Sequence, residues 1–209
     1  FLPYYNNSLA PIPYDLEKAK SLLQAAGWGD KDGNGILERE VDGQLVEFEF
    51  TLTIFGSSKE YKTIGDIFKE DLAKIGVKMN VQPTEWSLLL KKTNSKEFDA
   101  VTLAWVSGPD VDFRQIWHSE QADVPQSSNY ISFKNEKADE IIEALEVEFD
   151  DNKRIELAHE FHSLLYDEQP YTFFFTRRSM FYWSPKLKNV KAQVTRPYLN
   201  SRAWYAQDN

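Results

Sequence analysis

The alternation of apolar and polar residues from Val46 to Ile54, and the helical and strand-like periods that follow it, constrain this chain more than any other feature. Val46, Phe48, Phe50, Leu52 and Ile54 alternate with Glu47, Glu49, Thr51 and Thr53. Successive side chains of a strand point to opposite faces, so this period of two predicts one strand with one buried face. Ser57 or Ser58 then caps a predicted helix whose apolar face is Tyr61, Ile64, Ile67, Phe68, Leu72 and Ile75, closed by Gly76. Val77, Met79 and Val81 predict a second strand ended by Pro83, and Thr84 opens a short helix through Trp86 and Leu90. Phe98 to Trp105 predicts a third strand. Strand, helix, strand, helix, strand is the order that builds an α/β layer on a partly parallel sheet.

The flanking segments carry different signals. Pro3, Pro11 and Pro13 make residues 1–14 an extended connector. Asp15 is the expected N-cap of a helix through Leu16, Ala19, Leu22, Leu23 and Ala26, with Gly27 as its stop. Residues 106–134 carry Gly108, Pro109, Pro125, Ser127, Ser128 and Asn129 and predict a long loop region with a helix around Phe113 to Trp117. Two helices are expected at about 136–149 and 151–167, then a strand from Tyr171 to Phe175 after the break at Pro170. The expected division is a connector over 1–14, an α/β domain over 15–183 and an irregular aromatic tail over 184–209.

Composition excludes several function classes. The chain has 209 residues with 24 Lys and Arg against 33 Asp and Glu, a net charge of −9. That balance disfavours a nucleic-acid partner, because neutralising phosphate requires clustered basic residues. Zero cysteine removes disulfides, thiol catalysis and Cys-ligated metals and fits an oxidising compartment. Apolar runs such as Phe173-Phe174-Phe175 fall far short of the ~20 residues that span a bilayer. The start at Phe1, with neither an initiator Met nor a signal-like segment, reads as that of a piece of a longer chain.

Three constellations could carry chemistry. Asp30-Lys31-Asp32-Gly33-Asn34-Gly35 places side-chain oxygens from Asp30, Asp32 and Asn34 at positions 1, 3 and 5 of an EF-hand-like calcium loop, with Gly at position 6. Position 12, where a bidentate Glu should stand, is Val41, and Glu38 and Glu40 occupy positions 9 and 11. A solvated turn built on Asp, Asn and Gly accounts for the same residues. Glu156-x-x-His159 and His162 on a helix resemble half of a di-iron site, but the second copy is absent, so a structural or exposed histidine pair is the expectation. Asp110 with Asp112 and Asp150 with Asp151 are paired carboxylates, the latter placed to cap the next helix. No nucleophile elbow, phosphate loop or dinucleotide fingerprint occurs, so the expectation is no enzyme and no required cofactor. Trp105 to Asp112 lies at the end of a predicted strand, where open α/β sheets bind ligands; Trp105 is either a ligand contact or a core residue.

From about residue 10 onward the sequence resembles the family-5 extracellular solute-binding proteins, the peptide receptors of ABC importers. The resemblance rests on Tyr14-Asp15-Leu16-Glu17-Lys18-Ala19-Lys20-Ser21-Leu22-Leu23-Gln24-Ala25-Ala26-Gly27-Trp28 and the following turn with Asp30, Asp32, Gly33 and Gly35. It continues through Phe98-Asp99-Ala100, Trp105, Asp110 and Asp112, then Ser127-Ser128-Asn129-Tyr130, Asn135, Asp139, Asp151, Arg154 and Pro170. It implies the second lobe of a periplasmic-binding-protein-like (type II) clamp, a mixed sheet flanked by helices, with residues 184–209 returning toward a first lobe absent from this chain. It implies an extracytoplasmic receptor that grips a peptide or similar small solute between lobes and delivers it to an ABC permease. Peptide-binding members carry an Asp three residues after the motif Trp to pair with the peptide's α-amino group. Gly108 stands there in this chain, and Asp110 is the candidate substitute. The expected cleft residues are Trp105, Ser107, Gly108, Asp110 and Asn129. A calcium-binding module built on the Asp30–Gly35 loop, or a hydrolase, is the alternative.

Overall fold

Every long helix begins where a side-chain oxygen caps it. In the computed structural model, which describes residues 3–106, 112–176, 180–193, 198–199 and 201–207, α1 (Leu16–Ala25) is capped by Asp15, which accepts from Lys18 N at 2.8 Å. Helix α2 (Lys59–Ala73) is capped by Ser58 and α3 (Trp86–Ser95) by Glu85 rather than by Thr84. Asn135 caps α5 (Glu136–Val147), and Asp150 caps α6 (Asp151–Glu168) as its spacing predicts. Between α3 and α5 lies the single turn α4 (Arg114–Trp117). Each cap satisfies a backbone N–H that the helix itself cannot.

The strands β3 (Glu49–Phe55), β4 (Lys78–Thr84) and β5 (Ala100–Val101) form a parallel sheet in the order β4-β3-β5. Leu52, Ile54 and Met79 are its buried centre, with Tyr61, Phe68 and Leu72 of α2 packed against them. Helix α2 approaches closely because Gly65 faces β4, where an added Cβ would stand 3.1 Å from Val81 Cγ1. A second core joins the helices: Trp117, Ala138, Ile141, Ile142, Leu145, Phe161 and Leu165 are buried together. The Phe113 ring stacks on Phe161 at 4.2 Å.

Four strand expectations change. The alternating run over 46–54 is two elements, because the chain changes partner at Phe48. Strand β2 (Gln44–Glu47) pairs antiparallel with β1 (Glu38–Val41), whereas β3 pairs parallel with β4. Phe48 N donates to Leu37 O at 2.7 Å, Phe48 O accepts from Lys78 N at 2.9 Å, and the ring stacks on Trp28 at 4.4 Å. Pro83 does not end β4: the strand is a sheet edge, where a missing N–H is tolerated, and it runs on to Thr84. The expected strand from Phe98 to Trp105 is paired only at Ala100 and Val101, with one further bond from Thr102 N to Thr53 O. Tyr171 to Phe175 finds no strand partner among the described residues, and Phe173, Phe174 and Phe175 are exposed.

The connector is fastened to α6 by the two histidines singled out above. The His159 Nε2–H donates to Pro3 O at 2.8 Å, and Asn6 N donates to His162 Nδ1 at 3.2 Å. The tail carries a short antiparallel pair, β6 (Leu187–Lys188) with β7 (Tyr205–Ala206). Among the described residues, no helix is long and apolar enough to cross a membrane.

Candidate functional site

Because β3, β4 and β5 are parallel, their carboxyl ends open on one side of the sheet, and exposed aromatic residues gather there. Trp86 follows β4, is half-exposed and meets Phe55 at the end of β3 edge-on at 5.5 Å. Trp105 follows β5 and is 45% exposed, so of the two readings of this residue the core one does not hold. Its ring stacks on Tyr130 at 5.6 Å with 11° between planes. Burial pushes the Tyr171 phenol up to about 12, with the Trp105 indole N–H opposing the shift as a donor toward its oxygen, so it stays protonated throughout the neutral range. Behind it, Trp117 lies 4.6 Å from Tyr171, which ties the platform to the helical core. Such a surface suits apolar groups and the flat faces of amides or rings.

Asn129 is not at the surface of this platform, contrary to expectation. It is fully buried, its Oδ1 accepts from Phe133 N at 2.8 Å, and its Nδ2 donates to Phe133 O at 2.9 Å. A further bond from Nδ2 reaches His118 O at 3.4 Å. With its amide committed to backbone, Asn129 fixes the turn that holds Tyr130 beneath Trp105. Ser127, likewise buried, donates its hydroxyl to Gln121 O at 2.6 Å and secures the same turn. Ser107, Gly108 and Asp110, the other expected cleft residues, lie outside the described residues. Asp112, Arg114, Gln121 and Glu146 line an open cleft of about 410 Å³. Arg114 is committed there, pairing with both oxygens of Glu146 at 2.5 and 2.8 Å and with Glu120 at 2.8 Å. That pairing holds both carboxyls below the usual carboxylate range.

The Asp30–Gly35 segment is a separate place on the molecule. Asp30 accepts from Gly33 N and Gly35 N, Asp32 from Asn34 N, and Asn34 Oδ1 from Ile36 N at 2.7 Å. Carboxylate oxygens of Asp30, Asp32 and Glu38 lie within 4.8 Å of one another. Glu38 stands at position 9 of the loop pattern, and only the fold brings its carboxylate to Asp30 and Asp32. Tyr130 and Tyr171 are not among the expected cleft residues, although an aromatic directly after Pro170 is a usable signal.

Comparison with known proteins agrees with this geometry. The chain is 30% identical over 194 residues to the oligopeptide-binding protein AppA of Bacillus subtilis, covering 92% of this chain and 35% of that protein. It is 26% identical over 200 residues to the dipeptide-binding protein of Escherichia coli, covering 92% and 34%. It thus spans about a third of the length of these relatives. The solved structure of AppA in complex with a nonapeptide superposes with a TM-score of 0.79 at 28% identity, over 98% of this chain and 40% of that one. The fold is accordingly that of a lobe of a type II binding-protein clamp, a parallel sheet flanked by helices. Residues 1–126 match the model of bacterial extracellular solute-binding proteins, family 5 middle, and the chain belongs to that family.

Proposed function

We propose that this chain is the second-lobe part of an extracytoplasmic receptor that captures a peptide or similar small solute and hands it to an ABC importer without altering it. The observation that carries the reading is the Trp105–Tyr130 stack, half-exposed at the open end of a parallel sheet, in a chain 30% identical to an oligopeptide-binding protein. Residues 1–14 serve as the inter-lobe connector, 15–183 as the lobe and 184–209 as the return toward a first lobe. Solute touching both lobes stabilises the closed clamp, and closure is what a permease partner recognises. Peptide main chain would be held by strand-like hydrogen bonds, with its side chains in roomy pockets. Asp110 is the carboxylate proposed to meet a free amine, since Gly108 stands at the family's usual position.

The carboxylates of Glu120 and Glu146 are committed to ion pairs with Arg114, which supports binding rather than turnover. The test is mass spectrometry of solute that co-purifies with the full-length protein. A peptide or comparable small solute released intact on denaturation is the expected result. A released product of bond cleavage, with turnover on incubation with its parent compound, would point to a hydrolase instead.

A further inference from the structure

We propose that the loop from Asp30 to Glu38 binds a calcium ion, with Asp30, Asp32 and Glu38 as its carboxylate ligands. Two independent observations lead there. The first is three carboxylates whose oxygens lie within 4.8 Å of one another. Like charges this close repel unless a cation or a proton intervenes. Among the described residues, no Lys or Arg forms an ion pair with any of the three. The second is Glu38 itself. It is only 2% exposed; its Oε2 accepts from Lys31 N at 2.8 Å, and its Oε1 is buried with no hydrogen-bond partner. A buried carboxylate oxygen without a partner is costly in a folded protein, and a coordinated cation satisfies it.

The donor chemistry selects the ion. The three side chains offer only oxygen, and the chain has no cysteine, which favours a hard cation over zinc or copper. Calcium tolerates the irregular shell that a loop of this kind provides better than magnesium, which demands a near-ideal octahedron. Val41 cannot supply the bidentate closure of an EF-hand, so water must fill the remaining positions and the affinity falls in the weak class, Kd ~10⁻⁴–10⁻³ M. The ion would be a brace. Glu38 opens β1 and bridges to Gly29 just beyond α1, while Leu37 N donates to Gly76 O at 2.8 Å in the turn between α2 and β4. One cation therefore fastens the end of α1, the β1–β2 hairpin and the edge of the sheet together. Nothing in this proposal depends on which solute the protein binds.

Equilibrium dialysis of the EDTA-stripped full-length protein against CaCl2 tests it. One saturable calcium ion per chain is expected, with affinity lowered by about tenfold or more in both Asp32→Asn and Glu38→Gln. Glu38→Gln keeps the side chain's size and an acceptor for Lys31 N, so a folded variant is expected, and the wild-type measurement needs no variant at all. Absence of saturable binding overturns the proposal. So does calcium binding that both substitutions leave unchanged, or equally tight binding of magnesium at the same site.

Discussion

Trp105, Asn129 and His162 show how single side chains divide the labour. Trp105 offers one face to solvent while Tyr130 backs the other, so it is the exposed member of a rigid pair. Asn129 reads as a ligand residue because it is polar and follows Ser127 and Ser128 in a loop, but its whole amide is spent on backbone. The sequence pattern marks such a residue as special without saying whether it points outward, since turn residues and ligand residues share a composition. His162 accepts the Asn6 N–H at Nδ1, which requires that nitrogen to be unprotonated. Its imidazole is held below the ordinary value near 6.5, first by burial and second by the neighbouring His159. The folded protein therefore binds fewer protons here than the unfolded chain. The contact is fully present above the unfolded pKa and is lost as pH falls from about 6.5 toward the lower folded value. Amide exchange should show protection of Asn6 unchanged above about pH 6.5 and weakening as pH falls below it, after correction for intrinsic rates, and the pH dependence should vanish in His162→Gln. Protection that holds or rises on acidification would contradict this.

At the scale of elements, the helices were the most legible part. Asp15, Ser58, Asn135 and Asp150 are capping residues placed directly before amphipathic runs, and a cap plus a 3.6-residue period is local information. Strand limits were less legible because pairing is not local. The period of two runs unbroken through Phe48, yet its N-terminal part pairs with β1 and the rest with β4. Nothing in the alternation itself announces the change of partner. Phe173 to Phe175 reads as a strand for its aromatic content, but no neighbour in the described residues supplies a ladder, and Phe174 instead meets Phe68 edge-on at 5.4 Å. The Glu38 carboxylate was equally hidden, since its position in the loop is plain but its burial depends on the hairpin fold. The helical layer has a clear pivot in Phe161, 1% exposed and stacked between α4 and α5 contacts. Phe161→Ala should cost about 3–5 kcal/mol, read as a lower urea midpoint with little change in slope. A loss below about 1 kcal/mol would mean that this core collapses onto the vacated space or is not formed.

For the molecule as a whole, one core lies in the parallel sheet and α2 and the other among the helices, and Tyr171 and Trp117 carry aromatic packing from the helical core toward the Trp105–Tyr130 stack. At the open end of the sheet Trp86 and Trp105 are exposed, and so are Phe173, Phe174 and Phe175. Exposed aromatic residues in this number suit an interaction face, and a first lobe closing over a solute is the proposed occupant. The platform is the central element of that account. The most direct test is calorimetric titration of the full-length protein with its co-purified solute, comparing wild type with Trp105→Ala. Loss of the exposed ring should weaken binding by about tenfold or more while leaving one solute per chain; an affinity equal to that of the wild type would contradict the placement of the solute against this face.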